Sequence, residues 1–372
     1  RVRKFMKLFK SLLVAPATLG LLAPLSATAN EITINDFNPA IENTLLAGGE
    51  GLVDDSSYDG GFSETTTASF SADFAVGAVD GVAAQDALNA VYGFQIDLST
   101  SFTGEDSLDI SIDAGNGGNG ITQLDLNEGT ADDVLIIDGI SYTFPLGEKI
   151  TVGVGNDYAG SSLYSTACVY GGPTKSLDDC GNAYSAMDAS EATGLSASFD
   201  IGNGFAAAVG YEGEGDTASG LMTKEGSDTY GAQLSYSADQ YAASLTYANY
   251  DTSTTDTTYW GLNGYWTPAE TGTAVPSISV GYEVGNPNNT SVDTSHYFLG
   301  LQWDEIGPGT LGVAMGTKEH TSDNATEYLE YEAFYSYPIN DGMTLTPVIF
   351  VRETAEGTDD ETGLAVKTSF SF

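Results

Sequence analysis

Alternation with a period of two recurs along most of this chain, and it limits the fold more than any other feature. In Tyr241 to Tyr250, Tyr241, Ala243, Leu245 and Tyr247 alternate with Ala242, Ser244, Thr246 and Ala248. In Ser277 to Val284, Ile278, Val280, Tyr282 and Val284 alternate with Ser277, Ser279, Gly281 and Glu283. The C-terminal stretch Gly363 to Phe372 repeats the pattern. Leu364, Val366, Thr368, Phe370 and Phe372 share one face, and Gly363, Ala365, Lys367, Ser369 and Ser371 the other. Successive side chains of a strand point to opposite faces, so each segment reads as a strand with one apolar face and one small or polar face.

About sixteen such segments run from Ala68 to Phe372. The first are Ala68 to Val79, Val91 to Thr100, Ser107 to Asp113 and Val134 to Phe144; the last are Met343 to Val351 and Gly363 to Phe372. Most approach the ~9–11 residues of a tilted membrane strand. The continuous apolar run Leu135-Ile136-Ile137 predicts a bulge. Ala83 to Ala90 offers at most one or two helical turns. Connections alternate between short and long. Pro145 to Glu148, Gly202 to Gly204 and Ala238 to Gln240 are short; Ala114 to Asp133, Gly155 to Thr193 and Arg352 to Thr362 are long. Asp251 to Asp256 is shorter than its parity asks.

Aromatic residues such as Trp260, Trp266, Tyr335 and Tyr337 gather near segment ends, where interfacial girdles would lie. The expected fold is therefore all-β: a transmembrane antiparallel up-and-down β-barrel of about sixteen strands. An open sheet ending on an apolar strand invites aggregation. Closure removes that edge, so Ala68 to Val79 is the expected partner of Gly363 to Phe372. Phe370 and Phe372 are then assigned to barrel closure and assembly.

Residues 1–29 read as an export signal: Arg1, Arg3, Lys4, Lys7 and Lys10, then the apolar Leu12 to Leu25, then Ala27-Thr28-Ala29 as a cleavage site. Asn30 to Gly61 is acidic and irregular, a periplasmic lead-in. The barrel takes 62–372. Export places the chain in an oxidising compartment, so Cys168 and Cys180 are expected to form a disulfide. Two thiols with no nearby histidine do not make a metal site.

The chain holds 52 Asp and Glu against 11 Lys and Arg, five of them in the first ten residues. Such a surface excludes nucleic acid as a partner. The polar faces carry Asp73, Gln95, Asp97, Asp109, Glu212, Glu283, Glu330, Glu332 and Lys367, assigned here as pore-lining. Rings of carboxylates in a pore favour cations. The longest loop, Gly155 to Thr193, contains both cysteines. His296 and His320 stand far apart in sequence and complete no catalytic grouping, so no enzyme activity is expected. The rival from another class is a secreted acidic all-β surface or adhesion protein, which would be soluble without detergent.

Phe62-Ser-Glu-Thr-Thr-Thr-Ala-Ser-Phe-Ser-Ala-Asp-Phe, Asp138-Gly-Ile-Ser-Tyr-Thr-Phe-Pro-Leu-Gly and the cysteine loop Ala167 to Ala183 resemble stretches of cyanobacterial outer-membrane porins. These are grouped with the carbohydrate-selective, OprB-type family and with iron-uptake porins. The resemblance spans Phe62 to Phe372. It implies a water-filled channel in the outer membrane for small hydrophilic solutes, with no cofactor. The third external loop of sixteen-stranded general porins folds into the barrel and narrows the pore, and Gly155 to Thr193 has that ordinal position; the resemblance thus makes Lys175, Asp178 and Asp179 candidate constriction charges, the alternative being an external loop stapled for protease resistance. The terminal strand also resembles the C-terminal signature of bacterial outer-membrane barrels. Outer-membrane lipid and the barrel assembly machinery are the partners this implies, and the porin fold implies a homotrimer. Family members commonly carry an S-layer-homology domain, which Asn30 to Gly61 does not match, so cell-wall attachment is not carried over.

Overall fold

The computed structural model describes residues 65–82, 86–117, 121–126, 133–182, 184–185, 193–215, 217–252, 254–355 and 358–372. The expected export signal and lead-in lie outside them. Seventeen strands form one antiparallel sheet. They are β1 (Thr66–Asp80), β2 (Asn89–Thr100), β3 (Ser107–Gly115), β4 (Ile136–Leu146), β5 (Ile150–Asn156), β6 (Thr193–Gly202), β7 (Phe205–Gly213), β8 (Asp228–Ala238) and β9 (Tyr241–Asp251). There follow β10 (Asp256–Trp266), β11 (Ser277–Pro287), β12 (Thr294–Ile306), β13 (Gly309–Thr317), β14 (Thr321–Ser322), β15 (Leu329–Asn340), β16 (Met343–Arg352) and β17 (Glu361–Ser371). The two-residue β14 only caps β12, and β13 pairs directly with β15. The other sixteen strands close the barrel, each beside its neighbour in sequence. Short turns gather at one end, which also holds the start of β1 and the end of β17; long loops gather at the other.

Closure runs from Ser71↔Ser371 to Asp80↔Thr362. Beyond it, Phe70 N–H donates to Phe372 O (2.9 Å) and Phe372 N–H to Phe70 O (3.0 Å). The two rings stack with centroids 5.7 Å apart, and Phe370 meets Phe74 edge-on at 6.1 Å. No strand edge is left for another chain to extend.

The expected bulge is present, and its extra residue is Asp138. Ser111 pairs with Gly139 but Ile112 pairs with Ile137. A strict period of two would turn either Ile137 or Ile140 inward. The slip leaves both exposed on the outer face and directs Asp138 and Gly139 away from it.

Burial is inverted relative to a water-soluble sheet. On the outer face Leu262 is 56% exposed and Val280 47%, whereas the inward Glu283 and Glu330 are at 0%. Exposed apolar area costs roughly 25 cal/mol per Å² in water. Many strands presenting such faces side by side fit hydrocarbon rather than water. Aromatic contacts band the short-turn end: Phe205–Tyr236 at 4.7 Å, Tyr236–Tyr241 at 5.9 Å and Tyr335–Tyr337 at 6.4 Å. Tyr247–Trp260, at 5.0 Å, lies toward the long-loop end. Among the described residues no helix is long and apolar enough to cross a membrane.

Deleting Phe372 removes both backbone bonds to Phe70 and the ring stack, outside the lumen. The expected outcome is a smaller yield of assembled, heat-modifiable barrel on gels, with unchanged single-channel conductance in the barrels that do form.

Candidate functional site

Asp73, Asp97, Asp109, Glu212, Glu283, Glu330, Glu332 and Lys367 all occupy inward positions, because each alternates with outward apolar neighbours. They do not form one ring. The 157–192 connection between β5 and β6, loop 3, enters the barrel and is fastened to its inner wall. Gly160 N–H donates to Glu212 (2.7 Å), and Ser165 N–H to Gln233 Oε1 (2.7 Å), which in turn donates through Nε2 to Ser165 O (3.0 Å). Val169 N–H donates to Ser279 (3.1 Å), and Tyr170 OH to Glu332 (2.6 Å). Ser176 donates a short bond to Glu330, and Asn263 Nδ2 donates to Cys180 O (2.7 Å). Tyr184 and Ser185 N–H both donate to Glu283, at 3.0 and 2.6 Å. These wall residues span β7 to β15, and Gln233 is six residues into β8, so the loop descends well below the rim.

This corrects the sequence assignment of four carboxylates. Glu212, Glu283, Glu330 and Glu332 are 2% exposed or less, lying under loop 3 instead of lining open lumen. Their acceptors meet donors of a loop with few regular partners of its own. A buried carboxylate is tolerable when such bonds satisfy it.

The wall is also shaped for the loop. A Cβ on Gly281 would stand 1.9 Å from Cys180 O, and one on Gly194 would stand 1.8 Å from Tyr158 O. Both neighbours are backbone atoms, so only glycine admits the loop at these inward sites. Cys168 and Cys180 are joined by a disulfide, with Cα atoms 6.4 Å apart. The bond closes the Cys168–Cys180 sub-loop that carries Lys175, Asp178 and Asp179. In the chain-entropy model such a short crosslink contributes roughly 3 kcal/mol.

A second loop, the 116–135 connection between β3 and β4, joins loop 3 inside the barrel. Leu124 bridges to Thr174, Asp125 N–H donates to Pro173 O (2.8 Å) and Lys175 N–H to Gln123 O (3.0 Å). Ile121, Leu124 and Leu126 from this loop, and Tyr170, Leu177 and Cys180 from loop 3, pack against Phe298, Phe334 and Phe350 of the wall. One side of the lumen is thus filled by an apolar cluster. Sequence reading missed it, because these inward positions lie on strands whose other inward residues are polar. The available signal was the inward placement of Gly194, Gly261, Gly281 and Gly300, which marks a wall with something packed on it.

Charge divides along the same line. Lys367 pairs with Asp73 at 3.0 Å and donates to Asp125 O at 2.7 Å. Arg352 pairs with Glu330 (2.9 Å) and Glu361 (3.2 Å), and Lys318 reaches Glu361 at 3.9 Å. These bases lie on the filled side. Strands β2 to β5 contain no lysine or arginine. There the polar side chains bond one another: Gln95 and Ser111 donate to Asp97 (2.8 and 2.7 Å), and Ser107 to Asp109 (2.7 Å). Within loop 3, Lys175 and Asp178 are exposed, while the half-buried Asp179 lies 3.7 Å from His296. The Asp178 carboxyl is pushed up to about 7, by desolvation within the barrel and then by Asp125, Asp179 and Glu332. Among the described residues no group of three or more His, Cys, Asp or Glu has metal-holding geometry.

No protein-family model and no curated protein sequence matches the chain. Solved structures do. An anion-selective porin from Comamonas acidovorans matches with a TM-score of 0.58 at 15% identity, covering 83% of this chain and 99% of that one. Pseudomonas putida OprB gives 0.58 at 11% identity, over 83% and 94%. This chain has the porin fold. A loop-deletion mutant of OmpT, an outer membrane protein of Vibrio cholerae, agrees, with a TM-score of 0.56 at 8% identity over 83% and 100%. At such identities the shared property is the fold, and lumen chemistry has to be read from this chain's own residues.

Gly281→Ala is expected to force the Cys180 carbonyl off β11, loosening loop 3 while the barrel still forms; single-channel recording should show larger or noisier conductance than wild type. Asp178 gives a pH effect of known sign. A carboxyl raised to about 7 is ionised above that value and neutral below it. Any cation preference should therefore fall as pH drops through 7, and Asp178→Asn should flatten that part of a reversal-potential titration.

Proposed function

We propose that this chain is an outer-membrane porin: a water-filled channel for passive diffusion of small hydrophilic solutes and ions, preferring cations. The observation that carries the reading is a closed barrel with an apolar outside and a polar inside, narrowed by a disulfide-tied inner loop. In this reading Lys175, Asp178 and Asp179 form the constriction, facing the acidic β2–β4 wall of Asp97, Asp109 and Asp138. The long loops face outward and the short turns face the periplasm. Residues 1–29 direct export, and the mature chain assembles through its terminal strand, ending on Phe370 and Phe372, and forms a trimer. The resemblance to cyanobacterial, OprB-type porins supports the same class.

Cation preference follows from where the bases sit. Lys318, Arg352 and Lys367 pair with carboxylates on the filled side, and no lysine or arginine on β2 to β5 stands against the carboxyls there. Similarity to a porin described as anion-selective does not transfer that property, because lumen charge sets selectivity. A dedicated sugar track is weakly supported, since Arg352 is committed to Glu330 and Glu361. The adhesion alternative requires a water-compatible exterior, which the outward Leu262 and Val280 do not provide.

Reversal potentials across a planar bilayer in a salt gradient test this proposal. Cation preference is expected, and anion preference would overturn the selectivity. Fractionation into detergent-soluble membranes with a heat-dependent gel shift is expected for the barrel. A soluble product lacking that shift would return the adhesion reading.

A further inference from the structure

Tyr170 of loop 3 is 5% exposed, because its ring enters a recess in the barrel wall. Glycine clears that recess. A Cβ on Gly300 would stand 2.7 Å from Tyr170 Cγ and 2.8 Å from Cδ2, so any other residue at this inward position of β12 would displace the ring. Neighbouring wall rings lie flat for a similar reason. Phe334 stands opposite Gly312 and Phe350 opposite Gly363 in the strand register. Cβ atoms on those two glycines would come within 2.2 and 2.0 Å of the rings. Each phenylalanine therefore covers a glycine rather than standing out into the lumen, and the wall gains a low apolar shelf.

Tyr170 fits onto that shelf. Its ring centroid lies 5.4 Å from that of Phe298 and 5.8 Å from that of Phe334, and its hydroxyl donates to Glu332 at 2.6 Å. A phenol suits such a seat, with an apolar body and a polar tip. The residues on either side fasten the main chain. Val169 N–H donates to Ser279 Oγ and Gly171 N–H to Gln302 Oε1, both at 3.1 Å. The disulfide backs the same residue: Cys168 Sγ lies 3.9 Å and Cys180 Sγ 4.0 Å from Tyr170 O. Ring, main chain and crosslink thus converge on one position.

We propose that Tyr170 is the positioning residue of the constriction. Its seated ring sets how deep loop 3 lies and, through the crosslinked Cys168–Cys180 sub-loop, where Lys175 and Asp178 stand in the lumen. The effect on conductance rests on the porin reading; the seating of the loop does not. The physical reason is a difference between two kinds of contact. Most bonds from loop 3 to the wall are hydrogen bonds, and water replaces them when the loop lifts, so each contributes little net. Burial of the Tyr170 ring has no such substitute. Lifting the loop exposes that ring together with the faces of Phe298 and Phe334.

Backbone hydrogen exchange at Val169 and Gly171, measured at one fixed pH in the folded full-length barrel, tests the seating. Truncation of a buried aromatic ring is worth at least about tenfold in an opening equilibrium, so Tyr170→Ala should lower protection of both amides by that factor or more. Tyr170→Phe keeps the ring and loses only the bond to Glu332, and should fall between Tyr170→Ala and wild type. Gly300→Ala should also lower protection, because its methyl group pushes on the Tyr170 ring. In the Tyr170→Ala background that methyl group meets only the end of the Phe298 ring and should add little, a non-additivity expected of contacting residues. Single channels in a planar bilayer should follow the same order, with larger or noisier conductance in Tyr170→Ala and an intermediate value in Tyr170→Phe.

Wild-type protection in Tyr170→Ala overturns the proposal, and so do equal effects of Gly300→Ala in the two backgrounds. Lost protection with wild-type conductance overturns the role of Tyr170 in placing the constriction. Should neither the wild type nor any variant conduct, the porin reading fails, and hydrogen exchange still decides whether Tyr170 seats the loop. Should Tyr170→Ala fail to assemble, Gly300→Ala in the otherwise unchanged chain decides, and unchanged protection there overturns the proposal.

Discussion

Closure of β17 onto β1 is the constraint on which everything else depends. A sheet that faces hydrocarbon has no water with which to satisfy an edge, and each unpaired backbone group there costs several kcal/mol. The register from Ser71↔Ser371 to Asp80↔Thr362 leaves none open along the seam. Closure also divides the side chains into two solvents. Because the period is two, every strand then sends one set of residues outward and the other into a shared interior, and a slip of one residue would exchange them. The bulge at Asp138 shows how firmly the outer face is kept: the backbone yields a residue so that Ile137 and Ile140 both remain outside.

The interior so created is too wide for the wall side chains to fill, and loops fill part of it. Loop 3 is a stretch of chain with little regular structure, placed where its amides are shielded from bulk water. It is held by the reverse of ordinary core packing: carboxylates on the wall accept from loop amides and hydroxyls, and inward glycines clear space for loop backbone. Glu212, Glu283 and Glu332 each bond to a different part of the loop. An acidic wall thus stabilises the loop that narrows the lumen. The same residue type stands elsewhere, on β2 and β3, with the Gln95 amide and serine hydroxyls as its partners.

Scarcity of bases gives the few that exist particular weight. Lys318, just after β13, Arg352 on β16 and Lys367 on β17 lie beside the apolar fill, where carboxylates are most deeply buried and an unpaired charge would be most costly. Burial explains their position better than surface salt-bridge stabilisation would, since exposed pairs contribute little. The strands across the barrel, β2 to β5, carry no lysine or arginine.

The sequence by itself determined the barrel. Alternation in segments such as Tyr241 to Tyr250, turn spacing, and the apolar Gly363 to Phe372 ending define strands, faces, strand number and the closing partner. Those are local properties, set by a two-residue period and by turn chemistry. Cys168 and Cys180, separated by twelve positions, likewise read as a pair. What only the tertiary structure decided is which inward residues meet water. Glu283 and Asp97 look alike in sequence, each a carboxylate on a polar face, yet one lies beneath loop 3 and the other does not. That difference depends on where a loop whose contacting residues lie 98 and 99 positions from Glu283 comes to rest. It also depends on glycines such as Gly194 and Gly281, whose meaning is the absence of a side chain. Periodicity assigns a residue to a face, but only closure of the barrel and entry of the loop decide what stands opposite it.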